Sequence, residues 1–196
     1  MTKTLLLVFS FFFICDSFPQ DSTKSSYIRR PALAISFFFN DFTTPQRIRT
    51  SSLSSVIANE EKAKFNEMET GIAISYFKGL TNYIDFVGTL AGSFADYPVG
   101  SENSIDSRLL LEGDVSINIK LLTEHYWLTP YASLGAGISK YGSYYGALIP
   151  VGAGLKLNLF DEAHFFISSQ YRIPVTTNTS NYHFMHSIGI AGVIGK

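Results

Sequence analysis

Cysteine is almost absent from this chain. Cys15 is the only one in 196 residues, which excludes an internal disulfide framework and any multi-cysteine metal site. Charge is scarce as well. Asp, Glu, Lys and Arg make up 16% of the residues, against about 25% in ordinary soluble domains, so there is little from which to build a charged outer coat. The net charge of −1 lacks the basic excess that a nucleic-acid surface needs, and no nucleic-acid partner is expected. Long apolar runs are confined to the N-terminus, so no transmembrane helix is expected after it. Also missing are a glycine-rich phosphate loop ending in Lys-Ser/Thr, a GxSxG elbow and an HExxH pair. The histidines are His125, His164, His183 and His186. His183 and His186 are three apart, which on a strand turns them to opposite faces and prevents simple chelation of one metal. Neither catalysis nor a cofactor is expected.

At the N-terminus, Lys3 precedes the apolar run LLLVFSFFFI at residues 5–14, the layout of a secretory signal peptide. We assign it to residues 1–20; cleavage after Ser17 or after Gln20 would fit equally. Phe12, Phe13 and Ile14 stand before Cys15, where a lipobox would carry small residues. With the leader removed, the mature chain would have no thiol. Residues 21–31 are polar and read as a flexible lead-in, and residues 32–196 as the folded domain.

What the domain does have is alternation. In the stretch RLLLEGDVSINIKL, residues 108–121, the odd positions are Leu109, Leu111, Gly113, Val115, Ile117, Ile119 and Leu121. The even ones from Glu112 are Glu112, Asp114, Ser116, Asn118 and Lys120. A period of two over this length specifies a strand with one apolar and one polar face. It exceeds the usual ~5–6 residues of a globular strand and is long enough, when tilted, to cross a bilayer. Similar alternation predicts seven further strands at 32–42, 70–77, 83–94, 127–139, 145–159, 164–173 and 182–194. Pro130 falls near a strand start, and Pro150, in the middle of a strand, predicts a local bulge.

The predicted connections after strands one, three, five and seven (43–67, 95–106, 140–144, 174–181) are long, and those after two, four and six are short turns. The first of them, 43–67, carries Arg47, Arg49, Glu60, Glu61, Lys62 and Lys64 and a serine cluster. Leu53, Val56 and Ile57 there predict one or two turns of amphipathic helix. An even strand number with alternating connections is the pattern of an outer-membrane barrel, with loops outside and turns on the periplasmic side. Tyr76, Phe94, Trp127, Tyr145, Phe165 and Tyr182 fall towards strand ends, where interfacial aromatic girdles sit. The expected fold is therefore an all-β, eight-stranded antiparallel up-and-down transmembrane barrel.

Eight strands leave an interior barely wide enough for side chains. The polar faces bring Asp85, Glu112, Asp114, Lys120, Lys156 and Arg172 to that interior as a candidate charge network. Lys156 and Arg172 are candidate partners for Glu112 and Asp114, and Lys120 is expected beside Asp85. Burial favours paired charges that plug the lumen, with a solvated set of inward charges as the alternative.

The strand order and segments such as RPALAISFFFNDF, GIAISYFKGLTNYIDFVGTLAGSF and HSIGIAGVIGK resemble the outer-membrane barrels of the OmpA-like family, over nearly all of the mature chain. The resemblance implies a barrel in the bacterial outer membrane with a structural or surface-interaction role, in contact with lipid and with possible external partners at its loops. The peptidoglycan-binding domain of many such proteins is not carried over, because the sequence stops at Lys196; the terminal aromatic common in the family is missing as well. A different class stays open: a secreted soluble barrel of lipocalin type, binding an apolar ligand inside. The two readings differ in which face of the strands points outward.

Overall fold

Each stretch of period-2 alternation becomes one strand of a single closed sheet in the computed structural model, which describes residues 28–95, 108–123, 125–159, 162–177 and 179–194. The expected leader, most of the lead-in and nearly all of the 95–106 connection lie outside these residues. The strands are β1 (Ala32–Asp41), β2 (Glu69–Gly79), β3 (Ile84–Ala95), β4 (Arg108–Lys120), β5 (Leu128–Tyr141), β6 (Tyr144–Leu159), β7 (Ala163–Pro174) and β8 (His183–Val193). Each pairs antiparallel with its neighbours in sequence, and β8 returns to β1, closing an up-and-down barrel. Closure gives every strand two partners and leaves no open edge.

The apolar face is outside. On β1, Leu33, Ile35 and Phe37 are 47%, 60% and 63% exposed, while Ala34, Ser36 and Phe38 between them are at most 3% exposed. On β4, Leu109, Leu111, Val115, Ile117 and Ile119 face out, and Glu112, Asp114, Ser116, Asn118 and Lys120 are buried inside. A lipocalin-type barrel needs the reverse arrangement, with its apolar residues lining an internal cavity.

Four local expectations are corrected. The β5–β6 connection is a tight two-residue turn, Gly142 and Ser143, not a loop over 140–144. Gly142 has φ +56°, which a side chain would resist and which the first central position of a type II′ turn requires. Pro150 produces no bulge. The β5–β6 ladder is interrupted beside it, between Leu134–Val151 and Gly137–Leu148, and resumes in the same register. Skipping two pairings, Gly135–Pro150 and Ala136–Ile149, accommodates the missing N–H without inserting a residue.

The β1–β2 connection contains two helices, α1 (Thr43–Thr50) and α2 (Leu53–Ala58), and a 3₁₀ turn at Phe65–Glu67. Helix α1 was not expected, because TTPQRIRT carries no apolar period. Its start is held by the Asp41 carboxylate, which accepts the Thr44 N–H at 2.8 Å, and Pro45 is tolerated in the first turn. In α2 the expected apolar face splits: Val56 is buried, whereas Leu53 and Ile57 are 57% and 54% exposed.

Candidate functional site

Alternation decides which charges enter the lumen, and the register of the closed sheet decides at what height. Two clusters result. At the end where β4 stops and β3 starts, Asp85 lies opposite Asn118 in the ladder. Lys120, two residues further along β4, donates from Nζ to Asp85 Oδ1 at 2.7 Å. Lys156 reaches across from β6 to the other oxygen, Oδ2. Asp85, Lys120 and Lys156 are 1%, 2% and 0% exposed. The Phe77 and Tyr131 rings stand 5.2 and 5.7 Å from Lys156 Nζ and offer it their π faces. Below this cluster Arg29 is buried and donates from Nη1 to Asn158 Oδ1 at 2.5 Å, so the last part of the lead-in is seated against the barrel.

The second cluster lies towards the opposite end. Arg172 on β7 donates from Nη2 to Asp114 Oδ2 at 2.7 Å and from Nη1 to Glu112 Oε2 at 3.2 Å. Nη2 also donates to Gln170 Oε1 at 3.3 Å. His183 joins from β8, its Nε2 lying 3.3 Å from Glu112 Oε2 and its Nδ1 3.1 Å from the Asn181 carbonyl oxygen. The Phe42 ring covers His183 at 4.8 Å between centroids. Between the clusters lies a hydroxyl-rich layer that includes Ser36, Ser75, Thr89, Ser116 and Ser168, around a cavity of about 30 Å³. That is space for on the order of one or two waters.

All six residues singled out from the sequence therefore face the lumen, but in two groups. Lys156 belongs with Asp85 and Lys120, not with Glu112 and Asp114; its height on β6 follows from barrel closure, which alternation along a single strand cannot express. His183 was not included among them, although its parity already placed it opposite the outward-facing His186. Its contact with Glu112 spans 71 residues of sequence. The rings of Phe77 and Tyr131 are likewise additions from the structure.

No family model and no curated protein matches the chain. Solved structures do. The attachment invasion locus protein Ail of Yersinia pestis aligns with a TM-score of 0.50 at 14% identity, over 84% of this chain and 98% of its own. The N-terminal β-barrel domain of Pseudomonas aeruginosa OprF gives 0.52 at 13%, over 85% and 98%. Neisserial surface protein A gives 0.52 at 12%, over 84% and 96%. The chain has the fold of the eight-stranded outer-membrane barrels. At these identities the likeness is one of architecture, and the two lumen clusters are read from this chain's own residues. In both clusters every carboxylate faces at least one cation, as burial requires.

Proposed function

We propose that this protein is an outer-membrane β-barrel with a structural or surface-interaction role, its lumen closed by the two ion-pair clusters. We assign it no catalytic role. The observation that carries this reading is the inverted burial: an apolar outer face around a charged, hydrogen-bonded interior. In water such a surface would be a large exposed apolar patch; in a bilayer it is the lipid contact. Trp127, Phe94 and Tyr145, exposed by 72%, 70% and 65%, lie at strand ends where an aromatic girdle meets the interface. In this orientation the periplasmic end holds Asp85 and Lys120, and α1 and α2 stand outside.

Val115, 52% exposed on β4, provides the direct test. Val115→Arg would place a charge on the lipid face near mid-strand, at an expected cost of ~2–4 kcal/mol, read as a lower urea midpoint for unfolding from phospholipid vesicles. Unchanged stability would reject lipid contact on this face.

The surface-interaction role is assigned to residues 43–67. Long loops on a rigid barrel are where recognition is carried, and this connection holds Arg47, Arg49, Lys62 and Lys64. Trypsin added to intact cells is expected to cleave after one or more of these residues while the strands survive. Cleavage only after the outer membrane has been opened would reverse the orientation.

A further inference from the structure

The outer face is not uniformly convex. A groove of about 770 Å³ crosses it, with Ala132, Ala153, Ser169 and His186 along its floor and Phe65 at one end. The register explains its shape. Ala132 pairs with Ala153, Ala153 with Ser169, Ser169 with His186, and His186 with Phe39. One ladder row thus runs from β5 to β1 with little bulk until it reaches His186. The row two residues to one side is Pro130, Leu155, Ile167 and Ile188; the row to the other side is Leu134, Val151, Tyr171 and Phe184. The first of these rows lines the groove together with the low row, Leu121 and Phe65, and the second stands outside the lining. Four inter-strand spacings of ~4.8 Å give the groove a length of ~19 Å. Because ladder rows run across tilted strands, it slants through the apolar belt.

We propose that this groove holds an acyl chain of a membrane lipid, with the ester end at His186. The inference rests on the membrane reading above. The groove is continuous with the lipid-facing belt, so lipid is what reaches it. An alkyl chain can lie along the low row, whereas a second barrel, itself convex, would ride on Leu155, Ile167 and Ile188 and leave the floor empty. Its polarity also has a direction. His186 and Ser169 lie towards the outer end, where an ester carbonyl could accept a hydrogen bond, and the other end is apolar through Ala132, Pro130 and Leu121. Phe65, 79% exposed, packs edge-on against Phe39 with 5.9 Å between centroids and closes the outer end.

The test is native mass spectrometry of the full chain after extraction from palmitoyl-oleoyl phosphatidylethanolamine vesicles. One retained lipid per barrel is expected in the parent. Ala153→Phe and Ser169→Phe fill the floor from the outside without touching the lumen, and are expected to lower the retained fraction about tenfold. Val115→Phe, on another part of the outer face, is expected to leave it unchanged, with heat-modifiable gel mobility confirming that all variants fold. Equal retention in all variants, or none in the parent, overturns the proposal. So does a dimer that the two filling variants abolish, because the occupant would then be a second copy. Quenching of Trp127, the chain's only tryptophan, by brominated lipid separates the two readings. A folded parent that is not quenched fails as a membrane protein, whereas one that is quenched but retains no lipid fails only here.

Discussion

Replacing Arg172 with leucine is expected to destabilise the barrel by about 3–5 kcal/mol, the usual cost of removing one partner from a buried ion pair. Arg172 is 1% exposed and its guanidinium bridges Glu112 and Asp114. Those carboxylates project from the same face of β4, two residues apart, and repel each other once the cation between them is gone. Leucine offers them no hydrogen bond, and the lumen cannot admit enough water to solvate both. The measurement is urea unfolding from phospholipid vesicles, with the midpoint falling at unchanged slope. A loss below about 1 kcal/mol, the scale of an exposed pair, would mean that the cluster is solvated and does not plug the lumen. Replacing Glu112, Asp114 and Arg172 together by leucine is expected to be neutral or stabilising, because a whole buried ion cluster seldom outweighs apolar packing of similar volume.

The other large effect is expected at Asp85. Its two oxygens are shared between Lys120 and Lys156, both essentially inaccessible. Asp85→Leu removes the anion and leaves two ammonium groups that had converged on one carboxylate. About 3–5 kcal/mol is again expected, measured in the same way. Adding Lys156→Met should recover part of the loss, since it removes one of the two repelling cations. If the double variant is less stable than Asp85→Leu alone, the contacts of Lys156 with Phe77 and Tyr131 outweigh its repulsion from Lys120.

These two clusters also mark where sequence reasoning stops. Strands and their faces are written locally: Leu109 to Leu121 alternates with the pleat, and a one-residue slip would send Glu112, Asp114 and Lys120 into lipid. That cost fixes the parity of each strand without knowledge of the others. Parity also sends Asp85, Lys156, Arg172 and His183 inward, and puts Asp85 and Lys120 at the same end, because β3 begins where β4 finishes. Helix α1 was invisible for the complementary reason: nothing in TTPQRIRT repeats, and its first turn depends on the Asp41 carboxylate at the end of β1.

By itself, then, the sequence determined the number of strands, which face of each meets the exterior, and that Asp85, Glu112, Asp114, Lys120, Lys156 and Arg172 point into the lumen, since each follows from hydrophobic alternation along a single segment. Only the tertiary structure decided the height at which each strand sits against its neighbours. That height depends on the cumulative register around eight ladders, closed by the β8–β1 pairing. It sent Lys156 to Asp85, Arg172 to Glu112 and Asp114, and His183 to Glu112. It also aligned Ala132, Ala153 and Ser169 into one groove, although each is an unremarkable small residue on its own strand. Contacts across a lumen or around a sheet join residues far apart in the chain, and no periodicity within one strand encodes them.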